Sequence, residues 1–354
     1  MTRTALVRRS RLFVVAVAAV LALVTAAGAA EPELAAQTRP SVGSGLVGLI
    51  VEPSKLGSAA GMQPVYAFVL SARRSVDMTM YELADPTMEA DLIADRRRGV
   101  EVRVLLDTNR ERSRNLAAFE SLTAGGVKVV WADTEYEATH QKTITVDGTE
   151  SLILTANLTS EYYTTTRDFG VFDTDARDLS AIEAVFDADF AHRPITPSNG
   201  ADLVWSPGSE AQMLAVIDGA RHTLSIENEE MNDSAITNAI AAAAGRGVKV
   251  EITMTTDSSF DSDFDVIVRA GGHVHLYEDD PSDLYVHAKT TIADAGLGTQ
   301  RVYVGSINFS SASMDRNREL GIITTDPTII EEIDRVVRDD YSNCTAATAC
   351  EEYS

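Results

Sequence analysis

Two short stretches of the chain carry the same three reactive residue types at the same spacing. Both have histidine, any residue, lysine, four residues and aspartate. The residues are His140, Lys142 and Asp147 in THQKTITVDG, and His287, Lys289 and Asp294 in VHAKTTIADA. Lysine is rare here, at five residues against 25 arginines. A given histidine therefore has only about a one-in-a-thousand chance of this pattern, and two occurrences predict a shared function.

A β-strand would place the histidine and lysine of each stretch side by side, because residues two apart point to the same face. Polar residues follow at matching places on the next two predicted strands. They are Asn157 and Asp168 in the first half, and Asn308 and Glu319 in the second. A carboxylate on the third strand can accept the imidazole Nδ1–H and leave Nε2 free to react. We therefore predict that each histidine is oriented by the acid of its own half.

One histidine, one lysine and one asparagine make half of a site, and two such halves facing each other make a whole one. The combination suits a phosphodiester, because ammonium and amide groups can hold the non-bridging oxygens as charge shifts in the transition state. One histidine attacks phosphorus while the other protonates the leaving oxygen. Since lysine supplies the positive charge, we expect neither a metal nor another cofactor.

The two stretches belong to a longer internal duplication. The segment at 72–85 matches 220–233, the segment at 157–170 matches 308–321, and all matching segments are offset by 146 to 151 residues. In each copy helices alternate with strands, and three strands with short connections follow. This order predicts an α/β protein of two homologous layered-sheet domains about a pseudo-twofold axis, with part of each sheet antiparallel.

The domain boundaries follow from the linker between the copies. RPITPSNGAD at 193–202 contains two prolines, a glycine and polar residues, which is typical of a connection. The predicted boundaries are 31–194 for the N-terminal domain with the first motif, 195–201 for the linker, and 202–354 for the C-terminal domain with the second motif.

Both ends of the chain indicate export. Residues 1–30 begin with arginines and continue into an apolar run at 12–24. This run is short of the roughly 20 residues that span a bilayer. We therefore predict a secretory signal peptide cleaved near 29–30, with a membrane anchor as the alternative. The two cysteines of the chain, Cys344 and Cys350, predict a short-loop disulfide in an exported tail, with two free thiols as the alternative.

The doubled His-x-Lys-x4-Asp pattern, followed by GSINFSS at 305–311, resembles the phospholipase D superfamily over nearly all of the mature chain. The resemblance implies two α/β domains packed about a pseudo-dyad, with one active site between them. It also implies a covalent phosphohistidine that water or an alcohol then attacks. In the family the N-terminal histidine is usually the nucleophile. The resemblance therefore implies that His140 is the nucleophile and that His287 is the general acid and then the base.

Two details qualify the family pattern. Ser306 belongs to the Gly-Ser that precedes asparagine in the family, whereas the first half has Thr155-Ala156, which puts a hydroxyl contact on that side in doubt. Asp147 and Asp294 follow the lysines by five residues and fall on the face away from the histidine. We expect these two aspartates to support the structure, through backbone groups or an arginine, rather than the chemistry.

The formal net charge of −23 bears on the substrate. Such a surface repels polyanions, so a nucleic-acid partner is not favoured. The first hypothesis is a secreted, monomeric phospholipase D. It would cut phospholipids at a membrane or micelle surface, with water or an alcohol as acceptor. The alternatives are a secreted metal-independent nuclease or other phosphodiesterase of the same superfamily, and a non-catalytic phosphate-binding protein. The lipid head group stays open.

Overall fold

The computed structural model describes residues 46–51, 61–280, 283–346 and 350–353. The predicted signal peptide at 1–30 lies outside these residues. The described residues belong to one structural unit, so the two homologous halves can be described together. Within them, no helix has the length and apolar character needed to cross a membrane.

The first half is a mixed sheet with helices packed on both faces. Its strands are β1 (Leu46–Val51), β2 (Ser75–Met80), β3 (Leu83–Ala84), β4 (Glu101–Leu106), β5 (Lys128–Trp131), β6 (Lys142–Val146), β7 (Glu150–Leu154), β8 (Leu158–Thr159) and β9 (Thr166–Asp173). Its helices are α1 (Gln63–Leu70), α2 (Pro86–Arg97), α3 (Arg112–Ala124) and α4 (Ala176–Phe190). The sheet order is β1-β9-β7-β6-β2-β4-β5, and β3 pairs with β8. Helices α1 to α3 share one apolar cluster with the sheet, and α4 packs in another.

The second half repeats this architecture. Its strands are β10 (Leu203–Ser206), β11 (Thr223–Glu227), β12 (Lys249–Thr255), β13 (His273–Tyr277), β14 (Tyr285–Val286), β15 (Thr290–Ala293), β16 (Arg301–Gly305), β17 (Glu319–Thr324) and β18 (Cys350–Glu352). Its helices are α5 (Glu210–Gly219), α6 (Ser234–Gly245), α7 (Asp261–Arg269), α8 (Ser311–Asp315) and α9 (Pro327–Ala346). The sheet order is β10-β17-β16-β15-β11-β12-β13-β18, and β14 pairs with β9 of the first half.

The strand directions confirm the predicted mixed α/β sheets. Strands β2, β4 and β5 are parallel, as are β11, β12 and β13, and helices connect them. The later strands of each half pair antiparallel through short connections. The sequence interpretation missed the strands that open each half, β1 and β10, which pair with β9 and β17. The predicted linker at 195–201 lies between α4 and β10.

Equivalent aspartates begin equivalent helices beside the parallel strands. Asp85 accepts hydrogen bonds from backbone N–H groups two and three residues ahead at the start of α2, and Asp233 does the same at the start of α6. These caps satisfy N–H groups that lack a partner within the helix. They hold the segments that follow β2 and β11, and those segments border the site described below.

The two halves are joined close to both motif histidines. Strand β14 runs parallel to the start of β9, and Thr139 forms an isolated bridge with Arg318. Each contact joins the segment before one motif to the segment that carries the third-strand acid of the other half. A shared apolar cluster lies nearby and includes Phe169, Trp205 and Leu320. Burial of this cluster favours the association of the halves, because apolar surface of both leaves water together.

The C-terminal tail is closed by a disulfide between Cys344 and Cys350, whose Cα atoms lie 4.9 Å apart. The bond ties the end of α9 to β18, which pairs antiparallel with β13 at the edge of the second sheet. The cysteines therefore serve the tail and take no part in the histidine site.

Candidate active site

His140 lies just before β6, and the second half of the chain holds it in place. Its backbone N–H donates to the carbonyl of Arg318 at 2.9 Å. Its Nδ1 lies 2.8 Å from Oε2 of Glu319 and 3.1 Å from the carbonyl oxygen of Ser306. Asn317 donates to the other oxygen of Glu319 at 3.0 Å. The carboxylate favours the tautomer with its proton on Nδ1, which leaves the lone pair on Nε2 for chemistry.

His287 has the equivalent arrangement with a residue of the first half. Its Nδ1 lies 2.8 Å from Oδ1 of Asp168. The same oxygen accepts a hydrogen bond from the hydroxyl of Thr155 at 2.5 Å, and this hydroxyl accepts the N–H of Phe169 at 2.9 Å. These bonds hold the carboxylate of Asp168 in place, so that it can orient the ring of His287.

The two histidine–acid pairs cross between the halves. The sequence interpretation gave Asp168 to His140 and Glu319 to His287, and that assignment is wrong. The physical reason is the strand pairing at the interface, which brings each histidine segment alongside the third strand of the other half. Neither half orients its own histidine, so the site exists only where both halves meet.

The hydroxyl that was in doubt for the first half is present. Thr155 supplies it, because at the offset of 151 residues that relates the two asparagines, Thr155 and not Ala156 corresponds to Ser306. The roles then differ. Thr155 donates directly to its acid, whereas Ser306 Oγ donates to the carbonyl of Leu320 at 3.2 Å and accepts its N–H at 3.1 Å. Ser306 therefore fixes the strand that carries Glu319, and its own carbonyl faces His140.

The two motif lysines are buried, at 1% exposed for Lys142 and 0% for Lys289. Each ammonium group donates to the carbonyl of the histidine two residues before it. Their other neighbours differ. Nζ of Lys142 lies 4.8 Å from the ring centroid of Tyr81, whereas Nζ of Lys289 lies 2.8 Å from Oε2 of Glu229. Two buried cations beside two imidazoles form a site for an anion.

The family comparison agrees with this geometry. The family model described as "Cardiolipin synthase, PLD-like domain" matches the chain twice, at residues 66–190 and 213–341. The chain belongs to the phospholipase D superfamily. The paired matches confirm the resemblance, and at this level the chain is a phosphodiesterase of the superfamily. No curated protein sequence matches it.

Solved structures show the same fold at low sequence identity. Phosphatidylserine synthase from Haemophilus influenzae aligns with a TM-score of 0.61 and 13% identity, over 87% of each chain. Polyphosphate kinase from Porphyromonas gingivalis aligns with a TM-score of 0.63 and 14% identity, over 83% of this chain but only 46% of the kinase. The chain thus spans about half the length of that kinase, and these likenesses establish the fold alone.

Burial and like charge shift the titration of the superfamily motif in the first half. Burial lowers the pKa of Lys142 to about 7, and Lys289 acts in the same direction. Burial also lowers the pKa of His140, with Glu319 opposing the change. For Glu319, burial works to raise the pKa, but His140 and Lys142 together hold it below its ordinary value. These shifts favour a neutral His140 beside an ionised Glu319, the state that a nucleophilic imidazole requires.

The shift of Lys142 predicts an unusual lysine signal in the free protein. The chain has five lysines, so ¹³C-lysine NMR can follow each of them through a pH titration. One resonance should titrate near pH 7, because the ammonium form of Lys142 is present below that pKa and is lost above it. An ordinary lysine titrates near about 10.4. The resonance should be absent in Lys142→Met and move to higher pH with inorganic phosphate, since a bound anion favours the cation. Absence of any lysine titration between pH 6 and 8 would contradict the assignment.

The two predicted asparagines lie at the site with different partners. Asn157 Nδ2 lies 3.4 Å from Oε2 of Glu82, and the other oxygen of Glu82 forms an ion pair with Arg114. Asn308 Nδ2 lies 3.3 Å from Oε2 of Glu229. Asn308 therefore converges on the same carboxylate oxygen as the lysine of its half, whereas Asn157 faces a carboxylate that an arginine neutralises.

The sequence interpretation missed Tyr81 and Glu229, which occupy equivalent positions in the two copies of the duplication. At the offset of 148 residues the two align directly before the shared Glu82 and Glu230. The ring of Tyr81 packs edge-on against His140, with centroids 4.5 Å apart. The available signal was an aromatic residue opposite a carboxylate, but it was weak, because neighbouring aligned pairs such as Met80 and Asn228 also differ in type.

The motif aspartates lie at the far ends of their strands, away from the histidines. Each has a positive φ, 55° for Asp147 and 54° for Asp294. Each carboxylate accepts three consecutive backbone N–H groups, at 73–75 and at 221–223. Burial opposes the effect, but these bonds lower the pKa of Asp147, and the hydroxyl of Thr299 together with the backbone bonds lowers the pKa of Asp294. About five strand residues, roughly 16 Å, separate them from the lysines, so they secure the sheet and do not reach the site.

In the part of the chain that the structure describes, no group of three or more histidine, cysteine, aspartate or glutamate side chains is arranged so that it could hold a metal ion. Independence of metal stays a prediction that the assay below addresses.

Proposed function

We propose that the chain is a secreted phospholipase D. It hydrolyses the distal phosphodiester bond of phospholipids, or transfers the phosphatidyl group to an alcohol, through a covalent phosphohistidine. The observation that carries the proposal is the pair of imidazoles, each with Nδ1 at 2.8 Å from a carboxylate of the opposite half. This pairing leaves Nε2 of one ring for the attack on phosphorus and Nε2 of the other for proton transfer. The buried lysines beside them supply positive charge where the transition state needs it.

In the first step, Nε2 of His140 forms a bond to phosphorus, and the bond from phosphorus to the head-group oxygen breaks. His287, protonated on both nitrogens, gives its Nε2 proton to the departing oxygen. Glu319 stabilises the positive charge that develops on the His140 ring. Lys142 and Lys289, together with the two site asparagines, hold the non-bridging oxygens as negative charge moves onto them.

In the second step, water attacks the phosphohistidine. His287, now neutral, removes a proton from the water, and the bond from phosphorus to His140 breaks so that the electron pair returns to Nε2. An alcohol in place of water yields a new phosphodiester by the same sequence of events. Asp168 orients His287 and stabilises its cationic form before the first step and after the second.

The choice of a phospholipid rests on charge and on export. A net charge of −23 disfavours a polyanionic substrate. The leader at 1–30 and the disulfide between Cys344 and Cys350 both support an oxidising, extracytoplasmic location, where phospholipid surfaces are accessible. A monomer suffices, because both halves of the site belong to one chain.

The proposal is tested by incubating the mature protein separately with phosphatidylcholine vesicles and with single-stranded DNA, each with excess chelator. We expect choline and phosphatidate from the vesicles, and a phosphatidyl alcohol when a primary alcohol is added. We expect no cleavage of the DNA. Cleavage of DNA with intact lipid would replace the proposal by the nuclease alternative. Loss of lipid cleavage on chelation, restored by one divalent ion, would contradict the metal-independent mechanism.

A further inference from the structure

The second half of the site contains a carboxylate where a substrate oxygen should bind. Oε2 of Glu229 lies 2.8 Å from Nζ of Lys289, 3.3 Å from Nδ2 of Asn308 and 3.6 Å from Nε2 of His287. These atoms belong to the lysine of the second motif, to the asparagine that follows the motif, and to the histidine proposed as general acid. The other oxygen, Oε1, accepts a hydrogen bond from the hydroxyl of Tyr285 at 3.1 Å. One carboxylate oxygen thus contacts Lys289 and Asn308, the two donors of this half that the mechanism reserves for a phosphoryl group.

The first half has no equivalent carboxylate at this position. The aligned residue is Tyr81, whose ring contacts His140 and Lys142. Glu229 is held in its charged form, because burial opposes ionisation but Lys289 and His287 keep its pKa well below the ordinary value. The site is therefore asymmetric, because Lys289 pairs with a carboxylate whereas Lys142 lies against the ring of Tyr81.

We propose that Glu229 is a charge-selecting residue of the site. Its carboxylate occupies the place of a phosphoryl oxygen while the site is empty, and a phosphodiester must replace it on Lys289 and Asn308 in order to bind. The inference rests on the proposed function, because it assumes that these two donors hold the substrate phosphate.

The displaced carboxylate still contributes to selection. Tyr285 donates to Oε1, whereas Lys289 contacts Oε2, so the hydroxyl can keep the negative charge next to the phosphoryl group after Oε2 has left its donors. When a substrate with one negative charge binds, one of its oxygens replaces the carboxylate oxygen of Glu229 on Lys289, so one anion is exchanged for another. A dianion meets additional repulsion from the same carboxylate. Close to Nε2 of His287, where the leaving alcohol departs, a cationic substituent would be attracted. The substrate class that follows is a singly charged phosphodiester, favourably one with an amino-alcohol head group.

The test compares two soluble ligands at pH 7, without turnover, by isothermal titration calorimetry on the mature chain. Dimethyl phosphate carries one negative charge, and methyl phosphate, with a second pKa near 6, carries mostly two. The native protein should bind methyl phosphate no more tightly than dimethyl phosphate, despite two lysines in the site. In Glu229→Gln, methyl phosphate should bind at least about tenfold more tightly, equivalent to about 1.4 kcal/mol, and dimethyl phosphate should gain less.

Two controls separate this effect from general charge and from damage to the site. Glu331→Gln removes one charge from the exposed face of α9 and should leave both dissociation constants within about twofold. Glu229→Asp keeps the charge and should keep the selection against the dianion. If Glu229→Gln does not fold, tighter binding of methyl phosphate than of dimethyl phosphate to the native protein overturns the inference. If Glu229→Gln binds both esters with the same ratio of dissociation constants as the native protein, the inference is overturned and the proposed function stands. If neither ester binds to the native protein or to any variant, the proposed function is overturned as well.

Discussion

Replacing either His140 or His287 by alanine is expected to lower kcat/KM for a phosphodiester by about a thousandfold or more, with the fold intact. Each imidazole performs a step that the other cannot, since one forms the bond to phosphorus and the other transfers protons. Both rings lie where the halves meet and contact carboxylates of the opposite half, so we expect their removal to leave the apolar packing of each half in place. Initial rates with purified variants, together with thermal unfolding, provide the measurement.

The matched control is His222→Ala, which removes an exposed imidazole outside the site. Its kcat/KM should stay within about twofold of the native value. The double variant lacking both site histidines should be little worse than either single variant, because groups that act as one unit are not additive. Near-native turnover in either single variant would rule out a site shared between the halves.

The sequence predicted those features that depend on local periodicity and on repetition. The sequence placed His140 beside Lys142, and His287 beside Lys289, by strand alternation. The structure brings each lysine to the carbonyl of its histidine, but both histidines precede their strands, since β6 begins at Lys142 and β15 at Thr290. The constant offset between the copies predicted two homologous α/β halves. The order of helices and strands then predicted which part of each sheet is parallel, and the strand pairing confirms it.

The crossed pairing of the histidines with Glu319 and Asp168 could not be predicted in the same way. The halves carry the same residue types at the same positions, so pairing within a half and pairing between halves use identical sequence patterns. The choice is made by short contacts across the interface, namely the pairing of β14 with β9 and the bridge from Thr139 to Arg318. A two-residue strand and a single bridge carry no periodicity of their own.

The asymmetry around the two Nε2 atoms was also hidden, because it depends on Tyr81 in one half and Glu229 in the other. Tyr81 places an aromatic ring beside His140, whereas Glu229 places a carboxylate 3.6 Å from Nε2 of His287. A neutral ring leaves the His140 lone pair free to attack, and burial favours its neutral form. The carboxylate of Glu229 faces Nε2 of His287, the nitrogen that gives its proton to the leaving oxygen in the proposed mechanism. Both neighbours therefore agree with the assignment of His140 as nucleophile and His287 as general acid.

This assignment predicts which histidine becomes phosphorylated. In His287→Ala, a diester with a good leaving group such as p-nitrophenolate should still react with His140, because that leaving group needs no proton. The covalent intermediate should then persist, since no base activates water. His140→Ala should form no adduct, because its remaining imidazole is held for proton transfer. The expected contrast is close to one adduct per chain in the first variant and none in the second.

Mass spectrometry after rapid denaturation at mildly alkaline pH, which protects a phosphorus–nitrogen bond, can map the adduct to the peptide that contains His140 or His287. The burst of p-nitrophenolate should equal the enzyme concentration in His287→Ala and be absent in His140→Ala. An adduct on His287 in the His140→Ala variant, with none in the reciprocal variant, would exchange the two roles but keep the covalent mechanism. A burst in neither variant, with both proteins folded and binding dimethyl phosphate, would exclude a phosphohistidine. The experiment is decisive because both imidazoles have a carboxylate at Nδ1, so that contact alone does not distinguish the nucleophile from the general acid.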